Sequence, residues 1–240
     1  MSIKNHIPNS ITSLNLLSGC VAVILSFHGD FKAALLAIIA AAIFDFFDGL
    51  SARALKAYSP MGKELDSLAD MISFGMAPAM ILFNKLTIDA GNPDIIWLAA
   101  VLLTAVFSAL RLAKFNIDTR QSENFIGLAT PANALLIASG IASLDLYPGI
   151  NAVIMENHYI LPLCSLLLSY LLVSEIPMFS FKFKSLRFKD NPIRFLFVAI
   201  IAALGIATAV LGVNWRVWVF AIFASYIIMN LLLAATAKRK

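Results

Sequence analysis

FKAALLAIIAAAIFDFFDGL, residues 31–50, is an apolar run interrupted only by Lys32 and by two late aspartates. At 1.5 Å per residue, a helix of this length covers the ~30 Å hydrocarbon core of a bilayer. Similar runs fall at 11–28, 65–86, 95–116, 129–148, 158–178, 192–212 and 215–236. The sequence therefore predicts an all-α, polytopic membrane bundle of about eight spans, forming one transmembrane domain over residues 1–240. Composition points the same way. The chain is 60% hydrophobic and 13% charged, against ~45–50% and ~25% in soluble domains. So apolar a chain is neither a soluble domain nor a disordered one. The runs are long and continuous, unlike the ~10-residue alternating segments of a membrane β-barrel.

Charge sets the expected orientation. With the N-terminus inside, 15 of the 18 Lys and Arg fall on or near the inner face, and only Lys32, Lys85 and Arg216 near the outer one. Both termini are then cytoplasmic, and no cleavable signal peptide is apparent. Residues 1–10 read as an interfacial segment, and 181–191 as a basic cytoplasmic loop in which Phe alternates with Lys, suited to anionic headgroups or simply a positive-inside loop. Cys20 and Cys164 lie within spans and read as packed thiols rather than a disulfide, and their spacing matches no zinc or redox motif. His6, His28 and His158 are too scattered for a histidine metal site or a Ser-His-Asp triad.

Against this background the segment DFFDGLSARALKAYSPMGKELDSLAD, residues 45–70, is anomalous. It holds Asp45, Asp48, Asp66 and Asp70 at the ends of two apolar runs. An ionised Asp at a bilayer centre costs ~2.5–3.5 kcal/mol. Asp45 and Asp48 are spaced i, i+3, and Asp66 and Asp70 i, i+4, so each pair shares a helix face. Two antiparallel helices joined by a short turn can aim both pairs at one point. Carboxylates that close either bind protons or recruit a cation, and an all-oxygen ligand set selects Mg²⁺, Mn²⁺ or Ca²⁺. Gly49, Ala52 and Gly62 leave room for a ligand or a second helix, and Arg53 suits a phosphate. Ser59-Pro60 fits an N-cap followed by Pro at the first helical position. An interhelical turn with surface charges would not need two same-face pairs framed by small residues. An ion pathway is the reading from another class, but no relay of acids continues outward: Asp145 and Glu156 lie beyond the far ends of their spans.

The pattern D-x2-D-G-x2-A-R-x8-G-x3-D-x3-D, met by Asp45, Asp48, Gly49, Ala52, Arg53, Gly62, Asp66 and Asp70, resembles the signature of the CDP-alcohol phosphotransferases. The likeness covers roughly residues 7–180. The run GKELDSLADMISFGMAPA (62–79), the opening IPNSITSLN, RLAKFN (111–116) and GLATPANA (127–134) resemble the phosphatidylserine synthase branch, with Ala129 standing where Pro is usual. The resemblance implies a six-helix catalytic core over 11–180 with an added pair of spans at 192–236. It also implies transfer of a phosphatidyl group from CDP-diacylglycerol to L-serine with release of CMP, assisted by one or two Mg²⁺ or Mn²⁺ ions. Asp45, Asp48, Asp66 and Asp70 would hold metal, with Asp70 also the general base. Gly49, Ala52, Arg53 and Gly62 would form the nucleotide and pyrophosphate site. Asn9, Thr12 and Asn15 are candidate nucleotide contacts from the first helix, although polar residues at a span's start also act as interfacial caps. Arg111, Asn116 and Ser73 are candidate serine contacts; the alternative for Arg111 is an arginine snorkelling to the interface. The implied setting is the inner membrane with the site facing the cytoplasm, among membrane lipids, as a homodimer and without nucleic acid. Glycerol 3-phosphate or inositol phosphate as acceptor stays open, because Arg111, Lys114 and Arg120 could bind the extra phosphate.

Overall fold

A computed structural model describes residues 3–91, 93–121, 124–180 and 188–237. The described chain is a polytopic helical bundle: α1 (Ile3–Phe27), α2 (Phe31–Leu55), α3 (Pro60–Asp70), a π-helical stretch (Met71–Met76), α4 (Ala77–Asp89), α5 (Ile95–Ile117), α6 (Thr130–Leu144), α7 (Pro148–Glu156), α8 (Ile160–Val173), α9 (Pro192–Val210) and α10 (Trp215–Ala237). Two short strands, β1 (Phe125–Ile126) and β2 (Pro177–Met178), pair antiparallel.

Local signals start and stop these helices. The Asp30 carboxylate accepts the Ala33 N–H at 2.9 Å and caps α2. Lys56, at φ 51°, ends it in the left-handed conformation. Ser59 caps α3 through the Gly62 N–H at 3.0 Å, with Pro60 at the first position, as the sequence predicts. α3, the π-helical stretch and α4 form one apolar span, Pro60–Asp89. Pro78 follows the π stretch and has no N–H to offer the Phe74 carbonyl. The wider turn absorbs that loss, with the Ala77 N–H reaching back five residues to the Ile72 carbonyl. Such π-bulges often accompany functional sites.

This span is the axis of the bundle, packing against α1, α5 and α6. Phe74, Ala77, Ile81 and Leu86 are fully buried there. α1 approaches closely through Gly19, where an added Cβ would lie 2.7 Å from Ser73 Cα and 2.9 Å from its backbone nitrogen. Gly19→Ala is therefore expected to destabilise the protein by about 1–3 kcal/mol, the usual cost of overpacking, read as a lowered unfolding midpoint in detergent. Gly149→Ala, whose Cβ would meet nothing within 4 Å, is the silent control.

Among the described residues, six helices are long and apolar enough to cross a membrane, seven if one bent pair counts as a span. The run at 129–148 is that pair: α6 and α7 meet at 110°. Pro148 disfavours helix in the residue before it, and Tyr147 sits at φ −130°, ψ 74°. The run at 158–178 is helical for only 14 residues; its end becomes the extended segment carrying β2. Residues 3–10, expected as a separate interfacial segment, continue unbroken into α1. Pro8, the sixth residue of α1, lacks the N–H that would bond back four residues, so the helix gives up one hydrogen bond near its start. Cys20 and Cys164 are free, but both are exposed on the helix surface rather than packed. Most of the basic loop at 181–191 lies outside the described residues.

At the end of the bundle away from the acidic motif, two of the three charges expected near the outer boundary, Lys85 and Arg216, find partners. Lys85, 1% exposed, pairs with Asp89 at 2.6 Å and Asp145 at 3.1 Å. Arg216 donates to the Ala142 carbonyl at the end of α6.

Candidate active site

The turn between α2 and α3 folds the two Asp pairs onto each other. One carboxylate oxygen from each of Asp45, Asp48 and Asp66 lies within 4.8 Å of the other two. The Asp45 carboxyl also interacts directly with that of Asp70. The Asn15 amide donates to Asp70 Oδ1 at 3.3 Å, and Thr12 stands beside Asp48. Asp48 is buried, and its Oδ2 has no hydrogen-bond partner. None of the ion pairs among the described residues involves these four acids. A buried carboxylate without a partner is costly. Hard oxygen donors close enough to share one ion, with one oxygen orphaned, fit a divalent cation such as Mg²⁺ or Mn²⁺.

Beside the acids is a cavity of about 530 Å³ lined by Pro8, Asn9, Thr12, Asp48, Gly49, Ala52, Arg53, Ala57, Tyr58, Ser59, Pro60, Gly62, Lys63 and Asp66. Its volume suits a small-molecule or nucleotide ligand. Asn9, Thr12, Asp48, Gly49, Ala52, Arg53, Gly62 and Asp66 are thus brought together as the sequence predicts. The glycines keep it open. A Cβ on Gly62 would lie 3.0 Å from Ser59 Oγ and 3.1 Å from Asn9 Oδ1, and one on Gly49 would lie 3.4 Å from the Arg53 guanidinium. Sequence reading missed Pro8, Ala57, Tyr58 and Lys63 as wall residues and took Ser59-Pro60 only as a helix start. For Ala57 and Tyr58 the available signal was their position in the turn between α2 and α3; Pro8 comes from α1 and Lys63 from the first turn of α3.

Asp45 and Asp70 lie deeper, toward the π-helical stretch and α5. Arg111 is 5% exposed, and its guanidinium sits over the rings of Phe115 at 4.8 Å and Phe125 at 5.6 Å. Nε and Nη2 have no hydrogen-bond partner, and Asp70 is the acid that acts on it electrostatically. So buried a side chain is not snorkelling. Ser73 is fully buried and donates to the Asn15 carbonyl at 2.9 Å, tying the π stretch to α1. Asn116 donates to Ser67 Oγ at 2.8 Å, and its carbonyl accepts from Lys63 Nζ at 3.3 Å, joining α5 to α3. Asn15, Ser73, Arg111 and Asn116 therefore do not line the cavity. Ser108, Thr130 and Asn133 also carry buried polar atoms without hydrogen-bond partners; they sit on α5 and α6, both of which pack against the π stretch. Thr130 and Asn133 fall within GLATPANA (127–134) but were not singled out as site residues, and Ser108 lies in no motif, because a lone Ser in an apolar run is commonplace.

The rim cations are already engaged. Lys114 pairs with Glu175 at 2.5 Å, and Arg120 with Asp118 at 2.8 Å and Glu175 at 3.3 Å. Hydrogen bonds from Arg120 hold the Asp118 carboxyl well below the usual carboxylate range, and those from Lys114 pull Glu175 down as well.

Known proteins match most of this chain. The model of the family described as CDP-alcohol phosphatidyltransferase matches residues 5–171. The CDP-diacylglycerol–serine O-phosphatidyltransferase of Bacillus subtilis (strain 168) is 34% identical over 181 residues, 74% of this chain and 92% of the relative. The protein of the same name from Mycobacterium tuberculosis (strain ATCC 25618 / H37Rv) is 35% identical over 225 residues, 90% of this chain and 74% of the relative. The archaetidylserine synthase of Methanothermobacter thermautotrophicus is 35% identical over 135 residues, 55% and 56% of the two chains.

Proposed function

This chain belongs to the CDP-alcohol phosphatidyltransferase family, and we propose that it transfers the phosphatidyl group of CDP-diacylglycerol to the hydroxyl of L-serine, giving phosphatidylserine and CMP. The observation that carries this reading is the convergence of Asp45, Asp48 and Asp66 between an open cavity on one side and Asp70 with Arg111 on the other.

In this reading, cytidine occupies the cavity, where Gly49, Ala52 and Gly62 exclude bulk, Asn9 and Thr12 face the nucleotide, and Arg53 pairs with the pyrophosphate. Asp45, Asp48 and Asp66 would hold Mg²⁺ or Mn²⁺, with Asp70 at hand for a second ion. The bound ions supply charge neutralisation for the pyrophosphate and for the departing phosphate. Arg111 binds the serine carboxylate. Asp70 accepts the proton of the serine hydroxyl as its oxygen forms a bond to the lipid-side phosphorus. The bond from that phosphorus to the bridging oxygen breaks, and CMP departs with the electron pair. Asn15 holds Asp70 in place, and Ser73 and Asn116 brace the helices around it.

The choice of acceptor rests on which cations are unengaged. A phosphorylated acceptor calls for several positive groups near the acids. Lys114 and Arg120 are committed to Glu175 and Asp118, leaving Arg111 with hydrogen-bond capacity to offer. One buried guanidinium suits a carboxylate. The names of the relatives support serine too. The bias of Lys and Arg toward the end that carries the acids supports a site on the cytoplasmic face of the inner membrane.

The test is CMP release by purified protein in detergent given CDP-diacylglycerol, Mn²⁺ or Mg²⁺, and one acceptor at a time. Release with serine that EDTA abolishes is the expected result. Release only with glycerol 3-phosphate or inositol phosphate would move the chain to a neighbouring branch.

A further inference from the structure

The matched family region stops at residue 171, leaving α9 and α10 without an assigned role. α10 is apolar, yet it carries Tyr226 and Asn230 one turn apart, 3% and 1% exposed. Buried polar groups in a membrane span are costly and mark a function. Both side chains act on one residue. Asn230 Oδ1 accepts the Phe179 N–H at 2.8 Å, and the Tyr226 hydroxyl donates to the Phe179 carbonyl at 2.9 Å. Asn230 Nδ2 donates to the Tyr226 carbonyl at 2.8 Å, which sets the amide's orientation. The Phe179 ring packs edge-on against Tyr226 at 5.1 Å and against Phe197 of α9 at 5.4 Å.

Phe179 directly follows β2, so α10 grips the end of that strand. β2 pairs with β1, Phe125 opposite Met178. Gly127 N–H donates to the Ile176 carbonyl at 2.9 Å, and Leu128 N–H to the Leu171 carbonyl at 2.8 Å. Gly127, at φ +79°, sits where a Cβ would be 2.6 Å from the Leu172 oxygen. The two segments are therefore locked together, and the Phe125 ring lies against Arg111. Tyr226 is itself close enough to Arg111 for the two to interact electrostatically.

We propose that Tyr226 and Asn230 are positioning residues that hold the acceptor-binding arginine in place through Phe179, the β2–β1 pair and Phe125. This rests on the reading of Arg111 given above. α9 and α10 then form a brace on the acceptor side of the site, leaving the nucleotide side to α1, α2 and α3.

The experiment compares full-length Tyr226→Phe and Asn230→Ala with wild type in steady-state assays of CMP release, varying serine and CDP-diacylglycerol separately. Each loses one hydrogen bond to Phe179, and Tyr226→Phe keeps the ring and its packing. The expected result is a rise in KM for serine of about tenfold, the scale of one buried hydrogen bond, with KM for CDP-diacylglycerol within about twofold. A loss that is only structural lowers the active fraction and leaves both KM values alone. Unchanged KM for serine in Tyr226→Phe, or an equal rise for both substrates, overturns the proposal. Failure of the serine reading would instead appear in wild type, as no serine-dependent release; the same comparison is then made with whichever acceptor wild type uses.

Discussion

Replacing Asp70 with Asn is expected to lower turnover by about 10²–10⁴-fold, the range that a positioned general base contributes, while CDP-diacylglycerol still binds. Asn has nearly the same shape as Asp and can still accept the Asn15 amide hydrogen bond now made by Oδ1. It cannot take a proton at neutral pH. Asp70 lies outside the set of cavity-lining residues, so the nucleotide contacts remain. The decisive pairing is single-turnover CMP release with a direct binding measurement, such as calorimetric titration with CDP-diacylglycerol. Turnover within tenfold of wild type would remove Asp70 as the base. Loss of binding along with turnover would make it a binding group.

Asp66→Asn carries the second large effect. Asp66 is the acid whose oxygen completes the three-carboxylate cluster from α3, and it also borders the cavity. Removing one of three carboxylates takes away both a ligand and a unit of negative charge. Losing an outer partner of a metal ligand commonly weakens metal affinity by 10–100-fold; losing a ligand itself should cost at least about 100-fold in the Mn²⁺ concentration for half-maximal activity. The same shift should appear without turnover, in the Mn²⁺ concentration that raises the unfolding midpoint of the detergent-solubilised protein. An unaltered Mn²⁺ midpoint by both readouts would mean that the ion is held elsewhere.

The segment 45–70 was legible because its information is periodic. Spacings of three and four place carboxylates on one helix face whatever surrounds them, and Ser59-Pro60 announces the helix that brings the second pair home. The long spans were legible for the same reason: length and apolarity alone decide them. What failed were properties set by tertiary context. The runs at 129–148 and 158–178 look like spans by hydropathy, but Pro148 breaks the first, and the second yields its end to a strand whose partner lies some 50 residues earlier. In a regular helix Ser73, three residues after Asp70, would share the face of that acid. The π-helical stretch adds a residue to the turn at that point, so helical spacing no longer predicts direction, and the hydroxyl meets α1 instead. The environment of Arg111 needed Phe125, which comes from a short strand that no hydrophobic pattern announces. Lys114 looked available because its partner Glu175 is distant in sequence, whereas the partner of Arg120, Asp118, lies only two residues away and was legible.

The abbreviated α8 has a consequence for the surrounding lipid. Fourteen residues rise about 21 Å, well short of the ~30 Å of hydrocarbon around them. Thinning of the bilayer against that flank is the expected response, at fractions of a kcal/mol per ångström of mismatch. The bilayer is therefore expected to be thinner beside the 14-residue α8 than beside the 25-residue α1 and α2. A protein of this shape is expected to impose a thickness gradient on its own annulus, so that lipids arriving from different directions meet it at different depths.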